Sequence, residues 1–135
     1  MKGVMLSITP AVQFMELSHK ISAQNLLAGA LLLRNAVHFF PPTSIHTSVV
    51  DPAVGSGSKG IVVESSHGIF IGPDNGLLRL AAPVESVQRI THVTNAAYFL
   101  DCPSPTFHGR DIFAPVLRNS PRGSSQNSWV PSFPA

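Results

Sequence analysis

The chain has 135 residues and a formal net charge of +2, a length that bounds it to one domain at most. Its residues are 44% hydrophobic and only 12% charged, whereas about 25% charged residues is typical of soluble domains. We therefore expect strands that are buried on both faces, or a surface that belongs to an interface. The scattered Lys and Arg residues form no basic stripe, which argues against nucleic-acid binding.

The sequence also indicates the cellular compartment of the protein. Cys102 is the single cysteine, which excludes an internal disulfide framework and fits a reducing cytoplasm. The longest apolar stretch, residues 26–33, is far shorter than the ~20 residues that span a bilayer. No basic segment followed by an apolar run and a cleavage site opens the chain, so we expect no signal peptide.

The first part of the chain predicts a strand and a helix. Residues 1–8 fit either a short strand or the last turns of a helix. A mostly alternating apolar pattern predicts a strand over residues 12–17. Apolar residues at helical spacing predict a helix over residues 24–39, with Ser22 as its N-cap and a Pro-Pro pair after its end.

The second part predicts a hairpin and a final helix. In chain order, the expected elements are strands over 45–50, 61–63 and 69–71, a helical turn over 77–81, a strand within 84–93 and a helix over 109–117. This order indicates an α/β layered domain with a mixed, mainly parallel sheet. Residues 117–135 are rich in Ser, Pro and Gly and lack apolar periodicity, so we expect a disordered tail, which a frame disruption would explain.

Two residues are candidates for acid–base chemistry. Asp51 follows an apolar strand, and in open α/β sheets ligands bind beyond the carboxyl ends of the strands. His108 precedes Gly109 and a helix start, which would place its imidazole beside free backbone N–H groups. A carboxylate with an imidazole suits proton transfer or water activation. The alternatives are an Asp-Pro turn cap and a capping or core histidine.

The remaining polar residues are less specific. Asn75 lies in a Pro-Asp-Asn-Gly turn, where its tolerance of the left-handed conformation is a sufficient reason for its presence. The other histidines show no metal-ligand spacing such as HxxxH, so we expect no zinc site.

Five segments carry a family resemblance. They are MKGVMLSITP (1–10), MELSHKISAQ (15–24), IHTSVVDPAVG (45–55), GPDNGLL (72–78) and SPTFHGRDIFAP (104–115). In this order they resemble the SAM hydroxide adenosyltransferase family, the relatives of bacterial fluorinase and chlorinase. The resemblance implies a partial Rossmann-like α/β layer, followed in the family by a smaller β-barrel domain. It also implies a homotrimer that hydrolyses S-adenosyl-L-methionine (SAM) to adenosine and L-methionine, with SAM as substrate and no further cofactor.

The resemblance assigns roles to single residues. Asp51 and His108 match two members of the family's water-activating Asp–Arg–His set. Ser58 stands where the family has the Arg of this set, with Lys59 beside it, and Lys is a poor substitute for a planar guanidinium. The expected supporting residues are Asn75, Gly109, Arg110 and Asp111.

Departures from the family pattern define the alternatives. Ala53 replaces a glycine of the DPG turn, which would strain that turn if a positive φ is needed there. The resemblance makes residues 1–8 the tail of the first helix and residues 1–116 an N-terminal domain that lacks the family's first strand and its β-barrel domain. The alternatives to a hydrolase are therefore a truncated, inactive fragment and a non-catalytic binder of SAM or adenosine.

Overall fold

The computed structural model of the protein describes residues 1–119. The helices are α1 (Lys2–Ile8), α2 (Leu26–Val37) and α3 (Ala114–Val116). The strands are β1 (Ile45–Thr47), β2 (Gly60–Ser65), β3 (Gly68–Pro73) and β4 (Val87–Val93). A π-helical turn (Gly109–Phe113) leads directly into α3, and 3₁₀ turns cover Val84–Ser86, Ala96–Tyr98 and Leu117–Asn119. The predicted tail lies outside the described residues, except for 117–119.

The strands form one sheet in the order β1-β3-β2-β4. β1 and β3 run parallel, with His46 opposite Phe70. β2 is antiparallel to both β3 and β4. The α/β class and the mixed sheet are confirmed. Among the described residues, however, only the β1–β3 pairing is parallel, because β2 and β3 form a tight hairpin and β4 returns beside β2. The sequence predicts a mainly parallel sheet, whereas this part of the sheet is mainly antiparallel.

Both faces of the central strands β2 and β3 are buried, as the low charge content predicts, whereas β4 is exposed at four of its seven residues. Because successive residues of a strand point to opposite faces, β2 and β3 contribute to two apolar layers. The layer that includes α2 contains Ala30, Leu33, Val37, Ile61, Val63 and Phe70. The layer that includes α3 contains Val62, Ile69, Ile71, Val93, Phe113 and Val116.

The N-cap of helix α2 lies three residues later than predicted. The side chain of Asn25, not that of Ser22, accepts a hydrogen bond from Ala28 N at 3.0 Å. Gln24 has a φ of +66°, so the chain turns sharply just before the helix. The Pro-Pro pair that follows forbids further helical hydrogen bonds, and α2 ends before it, as predicted.

The strand predicted over residues 12–17 is absent from the sheet. These residues have no regular secondary structure, although Glu16 forms an ion pair with Lys2 of α1. An alternating pattern produces a strand only where a neighbouring strand supplies hydrogen-bond partners. No strand within residues 1–119 pairs with this segment.

The predictions for the two helical segments, near residues 1–8 and 109–117, agree with the structure. Residues 2–8 form α1, as the family resemblance implies, rather than a strand. The predicted helix over 109–117 is helical throughout but changes from a π turn to an α turn to a 3₁₀ turn. Among the described residues, no helix has the length and apolar character that crossing a bilayer requires.

A pair of phenylalanine variants tests the two-layer core. Phe70 of β3 is fully buried in the layer that includes α2, whereas Phe39 is 88% exposed. Phe70→Ala should lower the free energy of unfolding by about 3–5 kcal/mol, because it removes buried contacts and leaves a cavity. Phe39→Ala should change that free energy by less than about 0.5 kcal/mol. Urea denaturation of both variants measures the difference, and equal effects would contradict this core.

Candidate active site

The carboxyl ends of β1 and β3 meet at one edge of the sheet, as parallel strands require. Asp51 follows β1, and Asn75 follows β3. The side-chain amide of Asn75 donates to the carbonyl oxygen of Val50 at 2.8 Å, and its Oδ1 accepts from Leu77 N at 3.2 Å. Asn75 thus fixes the backbone immediately before Asp51.

This contact also corrects one alternative for Asn75. The left-handed residue of its turn is Gly76, with a φ of +89°. Among the described residues other than glycine, only Gln24 and Cys102 have a positive φ. Asn75 is therefore not there for left-handed geometry, and its side chain instead links the ends of two strands.

The Asp51 carboxylate has one free oxygen. Its Oδ1 accepts a hydrogen bond from Ala53 N at 3.2 Å. Its Oδ2 is buried and has no hydrogen-bond partner within residues 1–119. A buried oxygen without a donor is costly, so native proteins rarely keep one without a water molecule or a ligand. Asp51 is therefore both a turn cap, through Oδ1, and an available acceptor, through Oδ2.

The replacement of glycine by Ala53 does not strain this turn. Ala53 is not among the residues with a positive φ. The left-handed positions of the loop are Gly55 and Gly57, with φ values of +82° and +89°. The condition for strain at Ala53, a positive φ, is therefore not met, because the loop places its left-handed residues two and four positions later.

The loop after β1 packs against the segment that carries His108. A Cβ atom on Gly55 would lie 2.9 Å from the carbonyl oxygen of Pro105, and one on Gly109 would lie 3.4 Å from Val49. These two close approaches bring the Asp51 and His108 segments together from separate parts of the sequence. His108 itself is half-buried, and its imidazole forms no hydrogen bond or ion pair with any residue in 1–119.

The backbone beside His108 differs from expectation. The N–H groups of Arg110 and Asp111 both donate to the carbonyl oxygen of Phe107, at 2.9 and 3.0 Å. These two N–H groups are therefore engaged within the helical turn and are not free. Gly109 serves close packing, since its missing side chain admits Val49 and Met1.

Arg110 and Asp111 form an internal clamp. Asp111 is 2% exposed. It accepts hydrogen bonds from Arg110 at 2.5 and 2.9 Å and from the backbone N–H of Ser104 at 2.8 Å. The hydrogen bonds from Arg110 are the main cause that lowers the pKa of Asp111 to about 2. The guanidinium of Arg110 also stacks on the ring of Phe107 at 4.9 Å.

The clamp has a structural consequence for His108. Because Asp111 binds the backbone of Ser104, it fixes the start of the loop that leads to His108. The sequence did not single out Ser104 or Phe107 for this arrangement. In the sequence, the only indication of this arrangement is that Phe107 lies three positions before Arg110.

Ser58 and Lys59 do not complete the site by direct contact. Ser58 is half-buried and Lys59 is exposed. Neither side chain forms a hydrogen bond or an ion pair with Asp51 within the part of the chain that the structure describes. Lys59 instead contributes its backbone carbonyl, which accepts from Asp74 N at 2.8 Å. No guanidinium is thus provided at Asp51 from this position.

The histidines outside this site form no metal centre. No group of three or more His, Cys, Asp or Glu side chains among residues 1–119 is placed to hold a metal ion. His46 is buried in β1 and stacks on Phe70 with ring centroids 4.8 Å apart. Burial lowers the pKa of His46, which favours its neutral form in the core.

Comparisons with known proteins agree on one family. The sequence model of the SAM hydroxide adenosyltransferase N-terminal domain matches residues 1–128. An (R)-S-adenosyl-L-methionine hydrolase from Methanocaldococcus jannaschii is 40% identical over 121 residues, which are 86% of this chain and 44% of that protein. A fluorinase from an Actinoplanes species is 25% identical over 136 residues, covering 84% of this chain and 46% of the fluorinase.

A solved structure shows the same fold. The crystal structure of an uncharacterised conserved protein from Thermotoga maritima superposes with a TM-score of 0.82 at 36% identity. The match covers 87% of this chain and 46% of that one. The chain therefore spans less than half the length of each of these three proteins.

Acid unfolding tests the Asp111 clamp. The pKa of Asp111 lies near 2 in the folded chain, below the ordinary value of 3.8. Its ionised form therefore stabilises the fold above about pH 4, and this contribution disappears as the pH falls toward 2. Asp111→Asn should lower the free energy of unfolding at pH 7 by about 1–3 kcal/mol.

The variant should also flatten the loss of stability between pH 4 and pH 2. Asp74→Asn, at an exposed position, is the matched control and should retain the slope of the unaltered chain. Chemical denaturation at a series of pH values measures both effects. An unchanged slope in Asp111→Asn would show that the clamp does not couple folding to protonation.

Two glycine variants test the contact between the loops. Gly55→Ala and Gly57→Ala both place a side chain at a positive φ, which costs about 1–2 kcal/mol. Only Gly55→Ala also meets a backbone oxygen, that of Pro105, whereas nothing lies within 4 Å of a Cβ on Gly57. Gly55→Ala should therefore destabilise the fold clearly more than Gly57→Ala in thermal denaturation. Equal losses would mean that the two loops are not in contact.

Proposed function

Because the chain belongs to the SAM hydroxide adenosyltransferase family, we propose that it carries the water-activating part of an enzyme that hydrolyses SAM to adenosine and L-methionine. One observation carries this proposal. The buried, unpartnered Oδ2 of Asp51 lies on a loop that packs against the segment of His108, whose imidazole has no partner in residues 1–119. A free acceptor and a free imidazole are what water activation needs.

The reaction makes modest demands on the protein. The oxygen of one water molecule attacks the ribose C5′ carbon, and the bond from C5′ to sulfur breaks. Its electron pair goes to the sulfur, which leaves as neutral methionine because the sulfonium charge is cancelled. The proton of the attacking water passes to Asp51 or His108 and then to solvent. The protein must therefore chiefly hold the water in line with C5′ and accept one proton.

The other predicted site residues have supporting roles in this proposal. Asn75 positions Asp51 through its hydrogen bond to Val50 O. Gly109 permits the close approach of the two segments, and the Arg110–Asp111 pair fixes the loop before His108. Ser58 and Lys59 line the loop after Asp51 without contacting it, so the reaction here proceeds without the family's arginine.

Hydrolysis is favoured over halogenation. The resemblance implies other residue types at the positions of Asp51 and His108 in halogenating relatives, and this chain has both the carboxylate and the imidazole. The relative named as a hydrolase is 40% identical, whereas the fluorinase is 25% identical. A carboxylate and an imidazole accept the proton that water releases, and a halide ion has no proton to give.

We also propose a homotrimeric, cytoplasmic enzyme. The family resemblance supports the trimer, with SAM bound between the domain described here and a neighbouring subunit. The single cysteine, Cys102, is free and exposed, which fits a reducing compartment.

Substitution of Asp51 tests the proposed chemistry. Asp51→Asn keeps the size of the side chain and the acceptor for Ala53 N but removes the base. We expect the release of adenosine and methionine from SAM by the purified chain to fall by about 100-fold or more. Asp101→Asn, an exposed aspartate outside the site, is the control and should leave the rate unchanged. Chromatography of the two products measures the rate.

Three other results would each contradict the proposal in a different way. Equal rates for the Asp51→Asn variant and the unaltered chain would remove Asp51 from the chemistry. If calorimetry detects SAM binding but no product forms, the chain is a non-catalytic binder. If neither binding nor release is detected, the chain is an inactive fragment.

A further inference from the structure

Three histidines lie together at the amino ends of β1 and β3, at the opposite end of these strands from Asp51. His46 belongs to β1, His67 directly precedes β3, and His38 directly follows α2. The rings of His38 and His67 meet edge to face, with centroids 5.3 Å apart. A Cβ atom on Gly68 would lie 3.3 Å from Nε2 of His46, so the ring of His46 lies against the β2–β3 turn.

His46 is enclosed by aromatic rings. It is 7% exposed, stacks on Phe70 and meets the ring of Phe40 edge to face, with centroids 5.5 Å apart. Its Nε2 is buried and has no hydrogen-bond partner within residues 1–119. A protonated imidazole carries an N–H group on both ring nitrogens. Protonation would therefore bury a charged donor without an acceptor, and contact with two phenyl rings replaces only part of the hydration that it would lose.

His67 repeats this situation in the adjoining turn. Its Nδ1 is also buried without a partner in residues 1–119. Its backbone N–H donates to Ser65 Oγ at 3.1 Å, which fixes the residue in the turn between β2 and β3. Two neighbouring elements thus each place a buried, unpartnered imidazole nitrogen at the same end of the sheet.

The described part of the chain places no carboxylate on this cluster. Within residues 1–119, none of its three histidines forms an ion pair with an acidic side chain. Glu85 lies in the 3₁₀ turn that adjoins the β2–β3 turn, where Ser66 N donates to Ser86 O at 3.0 Å, but its side chain is exposed. Glu64 of β2 is paired with Ile69, which packs into the layer that includes α3, on the other face of the sheet.

The charged group on the α2 side of the cluster is a cation. Arg34 lies four residues before His38, and like charges at this spacing repel each other. The carboxyl end of α2 favours a positive charge at His38, which is exposed and gains hydration as well. A charge at His38 would in turn disfavour a second one at His67, whose ring it contacts. Of the three histidines, His46 and His67 therefore resist protonation while the fold is closed.

From this geometry we propose that His46 and His67 form a proton-sensitive latch, which holds the amino end of β1 against the β2–β3 turn at neutral pH and releases it in mild acid. A proton from solvent adds to Nε2 of His46 or to Nδ1 of His67 only when that nitrogen reaches water. Water reaches it when β1 separates from the turn, which breaks the hydrogen bond from Ile69 N to Ser44 O. The latch acts on the fold and is independent of the chemistry proposed for SAM.

The pH range of the latch follows from the state of His46. Burial lowers the pKa of His46 below its ordinary value of 6.5, and the backbone of His67 opposes this shift only in part. The neutral ring therefore contributes its full stability above pH 6.5, and this contribution is lost as the pH falls from 6.5 toward the lowered pKa. With one proton linked to opening, the equilibrium constant of unfolding approaches a roughly tenfold rise per pH unit in this range.

Urea denaturation of the full chain between pH 7 and pH 5 tests the latch. His46→Phe keeps an aromatic ring between Phe40 and Phe70 but removes the group that takes up the proton. The rise in the unfolding equilibrium constant across this range should be at least fivefold smaller in His46→Phe than in the unaltered chain. His92→Gln, which removes an exposed histidine of β4, is the matched control and should retain the full rise.

Nuclear magnetic resonance of the unaltered chain supplies a second measurement. The Cε1 proton of His46 should begin to shift only below pH 6.5. Over the same range, exchange of the Ile69 amide, corrected for the intrinsic pH dependence of exchange, should become faster. An equal rise in the unfolding constant for His46→Phe and the unaltered chain would overturn the proposal. A His46 resonance with its midpoint at or above pH 6.5 would also overturn it, and this result decides the question even if His46→Phe does not fold.

Discussion

The site depends on the hydrogen bond between the Asn75 side chain and the carbonyl oxygen of Val50. It joins the ends of the two parallel strands at the point where each changes into a loop. Gly72 supports the same join, because a Cβ there would collide with the carbonyl oxygen of Ser48. With both strand ends fixed, the turn that follows can hold the buried Oδ2 of Asp51 without an internal donor. Stability from the sheet thus offsets the cost of an unsatisfied carboxylate oxygen.

A second constraint fixes the segment that carries His108. The Asp111 carboxylate is buried and ionised, and it binds both its neighbouring arginine and the backbone of Ser104. The loop that ends at His108 is therefore held at both ends, by Ser104 and by the packing of Gly109 on Val49. Residues that contact no water or substrate in the proposed reaction thus determine where the imidazole lies. Disturbance of the clamp should consequently affect stability and activity together, whereas Asp51 should affect activity alone.

The sequence predicts the elements whose partners lie within the described residues. The β-branched runs of β2 and β3 and the helical spacing of α2 suffice, because the hairpin and the layer above it supply their contacts. The predicted strand over residues 12–17 does not form, because its hydrogen-bond partners must come from a neighbouring strand that residues 1–119 do not place there. The role of Asn75 was not predictable for a similar reason. Its partner, Val50, is 25 residues away, whereas turn preferences report only local geometry.

The central claim is that Asp51 and His108 activate a water molecule against the C5′ carbon of SAM. The most direct measurement is the mass of the products after reaction in water enriched in the heavy oxygen isotope. The account predicts that one heavy oxygen atom appears in the 5′ hydroxyl group of adenosine and none in methionine. Adenosine without the heavy isotope, or cleavage of a different bond to the sulfonium, would contradict attack by water at C5′ and with it the proposed role of the pair.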